Sequence, residues 1–205
     1  MPYTPRPKLM TAITIASTDQ HLEEILALQR RYHARAVSAE VQSREGFVFA
    51  EHTLPLLRRM AAESPQAIAV SEGHVVGYCL SLPLSLQTEV PSLAPMFEQF
   101  RQCVYRGKPL SAYRFVVGGQ VCVDREHRGK GLLARLYEQL RVSSGPDFDL
   151  CVTEIATRNR VSVRAHERMG FEIISTYSDP REEWVIVAWD LSRPAILGQR
   201  HSSTS

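Results

Sequence analysis

The segment Val121-Cys122-Val123-Asp124-Arg125-Glu126-His127-Arg128-Gly129-Lys130-Gly131-Leu132-Leu133-Ala134 gathers residue types that can hold an anion. An apolar run that reads as a strand enters a basic turn with two glycines. A run with Leu132, Leu133, Leu136, Tyr137 and Leu140 on one helical face leaves it. The first amides of a helix point outward without partners and the helix dipole adds partial positive charge, so a phosphate is favoured there. Gly129 and Gly131 let it approach the backbone, and Arg128 and Lys130 add charge. Leu132 follows Gly131, which excludes a P-loop. Gly129-x-Gly131-x-x-Ala134 formally fits the dinucleotide fingerprint, with Asp149 or Glu154 placed for a ribose contact. Against that, five residues, mostly charged, separate the strand from Gly129, where the dinucleotide turn follows its strand almost directly.

The elements around this turn are read from periodicity. Thr11 to Ala16 predicts a short strand. Thr18 or Asp19 caps a helix running to about Ala36, and a second helix spans roughly His52 to Ala62. Gln66 to Val70 and Val75 to Ser81 flank the turn Ser71-Glu72-Gly73-His74 and predict a β-hairpin. Residues 82–112, broken by Pro83, Pro91, Pro95 and Pro109, form a long irregular connection with a short helix near Met96 to Val104, of a length that often carries function. Then come a strand at Phe115 to Val123, a helix at Gly131 to Arg141, a strand at Leu150 to Ala156, a helix at Arg160 to Met169, and strands at Phe171 to Tyr177 and Trp184 to Trp189. Hairpins on both sides of a strand-helix-strand-helix unit predict a mixed α/β fold rather than a doubly wound sheet. Gly118-Gly119-Gln120 falls in a strand and reads as a bulge with a polar side chain near the cleft.

The 205 residues suit about one domain, and 24 basic against 22 acidic residues leave a net charge of +2. That balance argues against a nucleic-acid coat or an acidic-membrane binder. No apolar run approaches the roughly 20 residues of a membrane span, and Thr11 to Gln20 is too polar for a signal-peptide core. A cytoplasmic protein is expected. Cys79, Cys103, Cys122 and Cys151 are widely spaced, without C-x-x-C pairs or zinc-type histidine spacing, so buried thiols and no metal are expected.

A second motif lies about 30 residues on. Asn159-Arg160-Val161-Ser162-Val163-Arg164-Ala165-His166-Glu167-Arg168-Met169-Gly170-Phe171 has an asparagine to cap its helix and a glycine to end it. Arg128 to Leu133 resembles the Q/R-x-x-G-x-G/A signature of the GNAT superfamily of acyl-CoA N-acyltransferases, with Leu133 in place of the final small residue. Asn159 to Phe171 is similar to that family's N-x-x-A/S-x-x-x-Y-x-x-x-G-F helix, with His166 where many relatives carry tyrosine. The resemblance covers roughly Thr11 to Leu191 and is strongest from Val121 to Phe171. It implies one α/β domain of the α+β type, with a mixed, mostly antiparallel sheet splayed between two strands and helices on both faces. It also implies acetyl-CoA as acyl donor. The main chain of Val121, Cys122 and Val123 would hold the pantetheine, Arg128, Gly129, Lys130, Gly131, Leu132 and Leu133 the pyrophosphate, and Asn159 would sit beside the pantetheine or acyl end.

Acylating an amine with a pKa near 10.4 requires a neutral nitrogen, at a cost of about 4.6 kcal/mol at pH 7. Glu154 interrupts the apolar strand beside the expected cleft and is the candidate base. The alternative is an ion pair with an arginine of a neighbouring element or a side chain that points to solvent. His166 is the candidate acid for the leaving thiolate or a positioning group, with Tyr113, Tyr137 and Tyr177 as other donors.

The expected organisation is an arm at 1–10, the transferase domain at 11–191 with 82–112 as insertion or lid, and a flexible tail at 192–205. The expected acceptor is a small-molecule or peptide amine, and the expected state a monomer or homodimer. Glu89, Glu98, Met96, Phe97, Phe100 and Tyr105 of the insertion are candidates for admitting a cationic molecule with an apolar part. A coenzyme A-binding regulatory domain and a dinucleotide-dependent oxidoreductase are the competing functions.

Overall fold

The computed structural model describes residues 11–196. The expected arm and the end of the expected tail lie outside them. In chain order the elements are β1 (Ala12–Ile15), α1 (Asp19–Tyr32), α2 (Ala39–Glu45), α3 (Leu54–Glu63), β2 (Ala67–Ser71), β3 (His74–Leu82), α4 (Ala94–Phe100), β4 (Val104–Tyr105), β5 (Lys108–Pro109), β6 (Phe115–Val123), α5 (Leu132–Ser144), β7 (Leu150–Ala156), α6 (Arg160–Met169), β8 (Glu172–Ser178) and β9 (Glu183–Asp190). Seven strands form one sheet in the order β1-β2-β3-β6-β7-β9-β8, and β4 and β5 form a separate small hairpin. All pairs in the large sheet are antiparallel except β6 with β7.

Strand alternation divides the interior into two layers. On β3, Val75, Tyr78, Leu80 and Leu82 face the side covered by α1 and α3. Val76 and Cys79 face the side covered by α5. β7 divides likewise, with Leu150 and Val152 on the first side and Cys151 and Ile155 on the second. Ile25 of α1 and Leu57 of α3 are fully buried on the first side, each contributing about 1.5–3 kcal/mol of burial.

Helix ends follow the sequence. Thr18, Ser38 and Thr53 each accept a main-chain N–H from the first turn of α1, α2 and α3. α2 buries none of its residues, which is why no apolar periodicity announced it. The insertion holds 3₁₀ turns at Leu84–Glu89 and Pro91–Leu93, then α4, shorter and earlier than the expected Met96 to Val104 helix. Past β9, Ala195 is still buried and its N–H donates to Glu138 at 3.1 Å, so the start of the expected tail is packed on the domain. All four cysteines are buried and free.

The β6–β7 junction shapes the molecule. Parallel pairing joins only Phe115, Val116 and Val117 to Leu150, Cys151 and Val152. At the fork, Thr153 Oγ1 donates to Gly118 O at 2.7 Å. A Cβ on Gly118 would lie 3.2 Å from that of Thr153, a tight contact that would push the strands apart by a few tenths of an ångström. Beyond it the strands diverge without ladder pairs. On its other side β6 stays paired to β3, with Gly119 bulged between the Leu80–Gln120 and Ser81–Gly118 pairs, as the sequence suggested.

Candidate active site

The diverging strands open a groove with two ends. At the wider end a cavity of about 270 Å³ is lined by Val121, Cys122 and Val123 of β6, the glycine turn, and Asn159, Ser162 and His166. Gly129 and Gly131 adopt φ of +71° and +72°, the left-handed region that side chains resist, and a Cβ on either would meet nothing within 4 Å. The turn is therefore bare backbone facing open space. α5 starts there with no side-chain cap, so its first amides remain available to an anion. Leu133 is half-buried against the core and also lines the cavity. These features fit a pyrophosphate at the turn with an extended chain running down the unpaired edge of β6.

The cations at the turn are held by neighbouring groups. Arg125 Nε donates to Glu45 at 2.7 Å. Arg128 Nε donates to Val123 O at 2.8 Å and its Nη1 to Glu45 O at 2.9 Å, with the guanidinium 4.8 Å from the centre of the Tyr32 ring. Hydrogen bonding by Arg125, then by Arg44, holds the Glu45 carboxyl below the usual carboxylate range. Lys130 Nζ donates to Glu126 O at 2.8 Å and is exposed. Cys122 is buried, which pushes its thiol up to about 12 and leaves it a small apolar wall group.

The narrower end, about 100 Å³, contains Glu154, Gln120, Tyr137, Thr153, Arg181 and Trp184. Burial pushes the Glu154 carboxyl up to about 7, against the lowering effect of the Tyr177 hydrogen bond and of the Arg181 charge, the latter opposed by the charge of Asp179. Tyr177 donates its hydroxyl to Glu154 Oε2. Glu154 makes no ion pair within 4 Å among the described residues, so the alternative of an arginine partner does not describe it. It has the placement and the proton affinity of a general base operating near neutral pH.

His166 departs from the expected acid role. Its Nδ1 lies 2.8 Å from the carbonyl oxygen of Ser162, which can only accept, so Nδ1 carries the proton. Nε2, 2.8 Å from the Tyr137 hydroxyl, then accepts from it. Burial lowers the imidazole to about 4, and the neutral ring has no proton to spare for a thiolate. Among the other donors, Tyr137 and Tyr177 are engaged as described, and Tyr113 donates to Tyr105 O at 3.0 Å away from the groove. Asn159 caps α6 through Ser162 N–H at 3.3 Å and donates to Phe47 O at 3.0 Å, so its side chain is already in use at the groove wall.

Sequence reasoning missed the segment 46–50. It straps the groove from lip to lip: Ala50 O accepts from Gln120 of β6 at 2.8 Å, Phe47 O accepts from Asn159, and Phe49 meets Trp184 of β9 edge-on at 5.2 Å between ring centres. From the insertion only Ser92, Leu93 and Met96 reach the groove. Glu89 pairs with Arg59 and Glu98 with Arg101. Phe97, Phe100 and Tyr105 are buried in the core. Of the residues proposed to admit a cation, Met96 alone lines the site.

The sheet order and its antiparallel pairs exclude a mononucleotide half, and the dinucleotide reading of the glycine turn falls with it. Comparison with curated proteins gives no match. Among solved structures, the ribosomal-protein-S18-alanine N-acetyltransferase of Escherichia coli is 14% identical with a TM-score of 0.57, over 93% of this chain and 98% of that one. A GNAT family N-acetyltransferase of Escherichia coli, solved in complex with CoA, is 18% identical with a TM-score of 0.53, over 92% and 86%. An acetyltransferase described as putative from Salmonella typhimurium, solved with acetyl-CoA, is 17% identical with a TM-score of 0.54, over 91% and 96%. These likenesses show a shared fold. The family model described as acetyltransferase (GNAT) family matches residues 22–171, most of the chain. With that match, the fold and the groove in agreement, the chain belongs to the GNAT family of acetyltransferases.

Proposed function

We propose that the protein transfers the acetyl group of acetyl-CoA to a primary amine by direct attack in a ternary complex. The observation that carries this reading is the half-buried Glu154 carboxyl at the narrow end of a groove whose wide end is a bare, uncapped glycine turn. Acetyl-CoA supplies the thioester. The glycine turn and the α5 amides bind its pyrophosphate, and the open edge of β6 at Val121 to Val123, whose last carbonyl already accepts from Arg128, lies along its amide-bearing arm. Glu154, aimed by the Tyr177 hydroxyl, takes the proton from the attacking nitrogen as the C–N bond forms. The C–S bond breaks, and the thiolate leaves into the wide end, where water protonates it. His166 acts by position, holding the Tyr137 hydroxyl at the groove wall.

The test has two readings. Acetyl-CoA is expected to raise the melting temperature where NADH does not, and thiol release against a panel of amines is expected to be amine-dependent. A thermal shift with NADH alone removes the acyltransferase reading. Binding of acetyl-CoA with no thiol release for any amine favours a coenzyme-binding regulatory domain instead.

A further inference from the structure

The acceptor end of the groove combines an apolar wall with arginines whose charges are matched by neighbouring carboxylates. Phe49 and Trp184 form one side, and Leu93 and Met96 add to the wall. Arg181 lines the same end, its guanidinium 5.6 Å from the centre of the Trp184 ring and 6.0 Å from that of Phe49. The turn between β8 and β9 locks it there. Asp179 accepts Arg181 Nε at 2.9 Å and the main-chain N–H groups of Arg181 and Glu182 at 2.8 and 2.9 Å. A second guanidinium, that of Arg158, lies 4.2 Å from the centre of the Phe47 ring and is held by Glu182 at 2.6 Å. The ring surfaces that could have attracted an ammonium are thus already next to the protein's own cations.

Glu154 is the only carboxylate among the described residues lining this end. It is engaged by Tyr177 and is needed for the reacting nitrogen. A second ammonium on the acceptor would leave water, find no anionic partner and face Arg181. The cavity of about 100 Å³ has room for about three waters, the scale of a small organic group.

Resting on the transfer reading above, we propose that the acceptor is a primary amine on a compact apolar body, aromatic or aliphatic, without a second cationic group. Arg181 enforces that choice by occupying Asp179, the nearby carboxylate that would otherwise draw a second ammonium.

The test compares 2-phenylethylamine with spermidine, by thiol release from acetyl-CoA and by calorimetric binding to the coenzyme A-saturated protein. Phenylethylamine is expected to be preferred by at least about tenfold in kcat/KM. Arg181→Gln is expected to bring the two amines within about threefold, while Arg181→Lys, which keeps the charge but not the fork to Asp179, retains most of the preference. Equal or better use of spermidine by the native protein overturns the acceptor class, as does binding of neither amine. An unchanged preference in Arg181→Gln, or its loss in both variants, overturns the role of the Arg181 charge. A protein that fails to bind acetyl-CoA overturns the transfer reading itself, so the failures are told apart.

Discussion

Glu154 joins reactivity to stability. As the base it must be ionised, so native kcat/KM is expected to rise with pH through an inflection near 7. Glu154→Gln is expected to remove that inflection and to lower kcat/KM by about 10²–10⁴-fold at pH 7, with the gap closing at high pH where the amine is neutral unaided. A pH-rate profile of both proteins checks this, and a retained inflection in the variant assigns the base elsewhere. The folded-state value lies above the ordinary 4.5, so the native state holds this proton more tightly than the unfolded chain. The stability so gained is complete below pH 4.5 and is lost as pH rises through 7. Above pH 8 the glutamine variant should therefore be the more stable protein, by up to about 3 kcal/mol, in denaturant titrations. Tyr137→Phe should cost about 1–3 kcal/mol, because it leaves the buried His166 Nε2 without its only donor.

At the scale of elements, the glycine turn, β6, β7 and α6 were legible because each carries a strong local pattern. Predicted and observed bounds coincide at Phe115 to Val123, Leu150 to Ala156 and Arg160 to Met169. α2 was not legible, since a helix that buries nothing has no apolar stripe to read. Arg181 was missed for another reason. It lies 27 positions beyond Glu154 in sequence, and only the β8–β9 turn folding back brings it to the groove. The acidic end of α2 has a testable effect on the donor. Glu45 puts a carboxylate among the arginines beside the glycine turn. Glu45→Gln is expected to lower the KM for acetyl-CoA about three- to tenfold at low salt, with a smaller effect at high salt. An increase in KM would instead make Glu45 the anchor that aims the arginines.

Across the whole molecule, the family and fold were readable from two motifs, while the narrow end of the groove is built from residues of β6, β7, β9, the 46–50 strap and the insertion. No local pattern reports such a convergence. The groove itself follows from three ladder pairs between β6 and β7. Donor binding along the open edge of β6 is expected to slow deuterium uptake at 119–123 with little change in β2. Equal uptake with and without acetyl-CoA would place the donor elsewhere. An unpaired strand edge ordinarily invites another strand and with it aggregation. Here that edge lies at the floor of a cleft crossed by the Gln120–Ala50 and Asn159–Phe47 hydrogen bonds, where a sheet from another molecule cannot dock. A single thin chain bearing amides can. The fold thus keeps a β-pairing surface in reserve and, by shape alone, restricts it to a ligand that imitates one strand.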